Sequence, residues 1–157
     1  MKTMTKMNLT MKTNQSKLLM ISFNKKNKKS ICLYENNKKK SVSKLPTTIL
    51  EELCLKNGSS FNGREESFRH LTGAKQKPGV LISERTQDLY FPTTSKDNPQ
   101  CVWILYNRIF RVNRYQEIKT KVLFTDGTST ILPLDIRVVL NQMKRCELFL
   151  EKINSIE

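Results

Sequence analysis

The stretch GSSFNGRE, from Gly58 to Glu65, comes nearest to a chemical motif. Two glycines five apart with a basic residue after the second approximate G-x-x-x-x-G-K-[ST], the loop that cradles nucleotide phosphates. The two residues that would do the chemistry are wrong. Arg64 fills the lysine slot, and Glu65 stands where a hydroxyl would ligate magnesium. A carboxylate there repels phosphate. The preceding TTILEELCLKNG reads as a helix closing on a glycine cap, where a phosphate loop needs a strand. No nucleotide site is expected.

Other catalytic arrangements are equally weak. The one histidine, His70, sits beside Arg69 in a basic segment with no acid to orient it, so it reads as a surface group. Glu51-Glu52 and Glu65-Glu66 are adjacent pairs, which a helix points in different directions. Cys32, Cys54, Cys101 and Cys146 are scattered without a C-x-x-C pair, so free buried thiols are expected and a zinc site is not. The expectation is a binding protein, not an enzyme, with no metal and no cofactor.

Binding of a polyanion has more support. Lys plus Arg number 28 against 14 Asp plus Glu, and such a surplus suits nucleic acid or an anionic surface. In YNRIFRVNRY, Arg108, Arg111 and Arg114 alternate with Tyr106, Phe110 and Tyr115, pairing planar donor forks with aromatic faces. On one strand Arg108 and Arg114 would face one side and Arg111 the other. The last segment offers Arg137, Asn141, Gln142, Lys144 and Arg145, where amides could contact bases and cations neutralise phosphates. ILEELCLKNGSSFNGREESFRHL has the outline of a helix-turn-helix with Arg64 and Arg69 near its second helix, but its loop reads as too long.

These side chains need elements to position them. The 157 residues fit a single domain. The first sixty carry thirteen lysines against three acids; the rest carry fifteen basic residues, including every arginine, against eleven acids. Residues 1–16 lack periodicity and are expected to be disordered and basic, with the domain occupying 17–157. KLLMISF reads as a strand, and SICLY and SVSKL as a hairpin around the tip ENNKKK. A helix opens at Pro46 and runs through Leu55; REESFRHL is a short helix. GVLIS and LYFPT are short strands, and Asp126-Gly127 makes a tight hairpin turn in KVLFTDGTSTIL. Asp135 caps a long final helix whose apolar stripe is Ile136, Val139, Leu140, Met143, Cys146, Leu150 and Ile153. No run is long and apolar enough to span a membrane. The fold class is α+β: one domain with an antiparallel sheet, β-hairpins, short helices and a long C-terminal helix.

Read together, GSSFNGR, QKP, YFPT, PQCVW and NQMKR resemble, in order and spacing, the ComK family of competence transcription factors of low-GC Gram-positive bacteria. The likeness runs from about Gly58 to Phe149, and more loosely back to about Lys17. Val122, Phe124, Gly127 and Pro133 also fall where the family has them. The opening string then belongs to a family pattern, not to a nucleotide loop.

The resemblance implies a cytoplasmic, nucleoid-associated activator of genes for DNA uptake and recombination. It would bind double-stranded DNA at paired A/T-rich boxes, mainly through the minor groove, as a homodimer or a pair of dimers, and act on RNA polymerase. Narrow A-tract grooves are strongly negative and favour inserted arginine or lysine. Arg64, Lys77, Asn141, Gln142 and Arg145 fit both the family pattern and a DNA-facing role, Arg64 and Arg145 being those whose loss should weaken binding. Arg69, Arg108, Arg111, Arg114, Arg137 and Lys144 rest on charge alone. Trp103, Phe91, Pro92 and Cys101 are assigned to the core, and Gly58 and Gly63 to backbone geometry. Longer family members carry a tail recognised by a protease adaptor; this sequence ends at Glu157, so the resemblance leaves the adaptor open as a partner. The competing reading is a non-specific basic RNA- or DNA-binding protein.

Overall fold

The computed structural model describes residues 16–155. The expected disordered segment therefore lies, but for Ser16, outside the described residues.

Leu18–Asn24 (β1) pairs antiparallel with Lys29–Tyr34 (β2), which pairs with Lys38–Val42 (β3). The hairpin between β2 and β3 is present, but its tip is shorter than expected. Glu35, Asn36 and Asn37 close the turn, the two asparagines at the positive φ that this residue tolerates. Lys38, Lys39 and Lys40 thus begin the return strand instead of capping it. They line an exposed edge, where charge discourages pairing with another chain.

Pro46–Lys56 (α1) opens on proline, whose fixed φ suits the first helical position. Phe61–Thr72 (α2) starts three residues before the expected REESFRHL, because Ser60 caps it by accepting a hydrogen bond from the Gly63 amide at 3.0 Å. Only four residues, 57–60, separate α1 from α2. The turn is therefore no longer than a helix-turn-helix allows, contrary to the sequence reading.

Val80–Leu81 (β4), Leu89–Pro92 (β5) and Trp103–Leu105 (β6) form a second antiparallel run. It joins the first through Met20 opposite Ile104 and Ile21 opposite Trp103, giving one sheet in the order β3-β2-β1-β6-β5-β4. Ile109–Tyr115 (β7), Lys119–Phe124 (β8) and Ser129–Leu132 (β9) form a separate three-stranded sheet. A 3-10 turn at Tyr106–Arg108 breaks the arginine-aromatic segment, so Arg108 leaves the strand. Asp126-Gly127 turns the β8–β9 hairpin, with Gly127 at φ 95. The two hairpin tips meet there: the Asp126 carboxylate accepts from the Asn36 amide at 2.7 Å. Burial opposes ionisation of Asp126, but hydrogen bonds from Asn36 and Thr128 outweigh it and hold the carboxyl below its ordinary value.

Ile136–Asn154 (α3) is capped by Asp135, as expected. Its buried face is rotated from the expected stripe: Val139, Gln142, Cys146 and Phe149 are buried, while Leu140 is exposed. Phe149 stacks on Phe68 of α2, with centroids 5.0 Å apart. Phe61 meets Trp103 edge-on at 5.9 Å. Trp103, Phe91, Pro92 and Cys101 are core residues, and all four cysteines are free and buried.

Candidate nucleic-acid interface

A buried glutamine organises the region where the sequence strings converge. Gln142 is 1% exposed. Its amide nitrogen donates to the carbonyl of Lys77 at 2.9 Å and to that of Pro92 at 2.7 Å. Its amide oxygen accepts from Arg145 at 2.8 Å. One side chain thus fastens α3 to the QKP loop and to the end of β5. Unpaired buried carbonyls cost free energy, so the link is structural as well as local. Gln142 is not available to a base edge; it positions Arg145 and the loop that carries Lys77.

Beside this junction lies a cleft of about 560 Å³. Arg69 of α2, Lys75, Lys77 and Lys96 line it, with Pro92 and Trp103. The Glu65 carboxylate on its wall is only 4% exposed and pairs with Lys96 at 3.0 Å. Lys96 also lies over the Phe61 ring, 5.3 Å from its centroid. Lys96 is thereby neutralised, leaving Arg69, Lys75 and Lys77 as cations without a carboxylate partner, against one lining acid, Asp97, that is likewise unpaired among the described residues. Arg69 donates to the neutral carbonyl of Lys75 at 3.4 Å. Lys75 was missed in the sequence reading, although it stands two residues before Lys77 in the string KQKP.

The solvent face of α3 carries a further group of polar and cationic side chains. At about 100° per residue, Arg137, Asn141 and Lys144 share one line, and Arg145 flanks it on the Gln142 side. The first three are exposed and, with Tyr106 and the acidic Glu147, border a shallow hollow. Arg137 is clamped by Asp135, whose carboxyl is pulled down to about 2 by hydrogen bonds from the Arg137 side chain and amide. Arg114 adds to that field from β7.

Carboxylate partners sort the expected site residues. Arg64, Arg108 and Arg137 pair with Glu84, Glu35 and Asp135. Lys77, Arg69, Arg111, Arg114, Lys144 and Arg145 have no carboxylate partner among the described residues. A cation held by an amide or carbonyl keeps its full field for an incoming phosphate; one held by a carboxylate does not.

Arg64 departs furthest from expectation. Its side chain is 14% exposed, and its Nε is buried without a hydrogen-bond partner. It belongs to the underside of α2 near Cys54, away from the cleft. GSSFNGR is thus a helix-starting device. Gly58 takes φ 77 to end α1, Ser60 caps α2, and Phe61 enters the core. A Cβ on Gly63 would stand 2.8 Å from the Ser60 hydroxyl, so the cap requires glycine there. Arg108 sits with Glu35 at the hairpin junction, and Arg111 lies 5.4 Å from the Phe110 ring. Neither joins the cleft.

Among the described residues no cluster of three His, Cys, Asp or Glu side chains could hold a metal ion. No helix among them is long and apolar enough to cross a membrane.

Residues 10–156 match the model of the ComK protein family. The chain is also 30% identical over 104 residues to the competence transcription factor of Bacillus subtilis (strain 168), a stretch covering 66% of this chain and 54% of that protein. The match thus spans about half the length of that relative. No solved structure is significantly similar. The chain belongs to the ComK family.

Proposed function

We propose that this protein is a sequence-selective DNA-binding regulator of transcription that activates competence genes. The reading is carried by one observation: Gln142 fastens Arg145 of α3 beside the Lys77 loop, and so beside the cleft that Arg69, Lys75 and Lys77 line, all four being cations without a carboxylate partner among the described residues. Lys77, Arg69, Lys75, Arg145, Lys144 and Asn141 are the contacts we assign to DNA. The fixed orientation of Arg145 suits a narrow, electronegative groove of A/T tracts, where a guanidinium enters without pairing to a particular base. Relatedness to a competence transcription factor supports the regulatory role. Binding of paired boxes by a homodimer or a pair of dimers, contact with RNA polymerase, and a cytoplasmic, nucleoid-associated location extend the same proposal.

Fluorescence anisotropy with an A-tract/T-tract duplex and with a scrambled G/C-rich duplex at physiological salt tests this reading. A specific complex should be tighter by at least about 10³-fold. Equal affinities would replace it with non-specific polyanion binding.

A further inference from the structure

The three-stranded sheet carries a second cationic surface, apart from the Gln142 junction. Val112, Thr120, Val122, Phe124 and Leu132 turn inward or are buried. Strand alternation therefore puts Arg111, Asn113 and Tyr115 of β7, Lys119 and Lys121 of β8, and Ile131 of β9 on the outer face. The register sets Tyr115 opposite Lys119, and Lys121 between Asn113 and Ile131, so no two cations lie directly opposite one another. The three strands contain no Asp or Glu. Among the described residues, Arg111, Lys119 and Lys121 form no ion pair.

The tip of the β7–β8 hairpin adds a different chemistry. Gln116 turns it at φ 55, and Ile118 projects 65% exposed, with Phe110 at 61% on the same hairpin. An isoleucine left in water at a hairpin tip gains nothing from folding. It stands between Glu117 and Lys119 at the tip, and Glu117 is the one acid of the hairpin, against Arg111, Arg114, Lys119 and Lys121. With that excess of cations the hairpin has the make-up of an arm that enters a groove: positive strands against phosphates and an apolar residue against sugars and base edges. An acidic protein partner is the other occupant of such a surface, and the test below separates the two.

We infer that the β7–β8 hairpin is a DNA-contacting arm, with Lys119, Lys121 and Arg111 on the phosphates and Ile118 in the minor groove. This rests on the DNA-binding reading above and adds residues outside the Gln142 junction. The test compares wild type, Lys119→Ala/Lys121→Ala, Ile118→Ser and Arg145→Ala for binding to the A-tract/T-tract duplex across a salt series, with circular dichroism melts to confirm folding. The double lysine variant should weaken binding and lower the slope of log K against log salt by roughly 2, about 0.9 for each phosphate left unneutralised. Ile118→Ser should weaken binding with the slope unchanged, since no counterion is released. Full affinity and slope in both hairpin variants, with Arg145→Ala impaired, would overturn the arm alone. Hairpin variants that keep DNA affinity yet lose promoter activation would also overturn it, in favour of a protein partner. Absence of duplex binding by the wild type would overturn both readings.

Discussion

Gln142 and Arg145, three residues apart on α3, share a hydrogen bond of 2.8 Å in which the arginine donates to the amide oxygen. The acceptor is neutral, so orientation is fixed without cancelling charge. The same amide holds the carbonyls of Lys77 and Pro92, which come from separate segments. The packing of α3 on the sheet and the placing of the Arg145 guanidinium, which we assign to DNA, are thus one arrangement.

Replacing Gln142 with leucine should uncouple these roles. The buried Pro92 carbonyl and the partly buried Lys77 carbonyl lose their donor, at a cost of about 3 kcal/mol. In a chain of this size the melting temperature should fall by roughly 6–12 °C. Differential scanning calorimetry measures it, and an unchanged midpoint would show that water replaces the amide at no cost.

Lys96 neutralises a carboxylate that is almost wholly buried. Lys96→Met should strand Glu65 and destabilise the domain by about 3 kcal/mol, whereas the double change Lys96→Met/Glu65→Leu should recover most of that loss. Urea unfolding of the single and double variants decides the point; equal losses in both would deny the coupling.

Burial raises the thiols of Cys32, Cys54, Cys101 and Cys146 above their ordinary range. A thiol that keeps its proton more firmly when folded contributes stability that is present below its unfolded value and lost as pH rises through it. Stability should therefore decline above about pH 8.5. At neutral pH a thiol reagent should modify the native protein slowly and all four cysteines after denaturation; rapid native labelling would contradict their burial.

Gly79 follows the QKP string, and a Cβ there would lie 2.8 Å from the Phe68 ring and 3.2 Å from the Tyr90 carbonyl. Gly79→Ala should cost about 1–3 kcal/mol through overpacking. Thermal melts beside Gly127→Ala, strained by its φ of 95 and not by contact, would separate the two causes. A stable Gly79→Ala protein would mean that the loop shifts freely.

Elements set by local chemistry were legible in the sequence: the Asp126-Gly127 hairpin, the proline opening of α1, the Asp135 cap and the first strand. Features settled by distant partners were not. Gln142 reads as a surface amide by type, yet carbonyls from two other segments draw it inside, and Phe149 goes in with it while Leu140 turns out. Arg64 looks like a free cation until Glu84 and the underside of α2 enclose it. The period-two string KTKVLF did hold a signal for the outward lysines, Lys119 and Lys121, because Thr120 and Val122 between them are buried.

The central claim is that cations without a carboxylate partner carry DNA binding, while those with one serve the fold. Dissociation constants for the A-tract/T-tract duplex, measured at one fixed salt concentration for Arg145→Ala and Arg108→Ala, test it most directly. The account predicts at least a tenfold loss for Arg145→Ala, about 1.4 kcal/mol, with Arg108→Ala close to wild type. The reverse order, or equal losses in both, would contradict it.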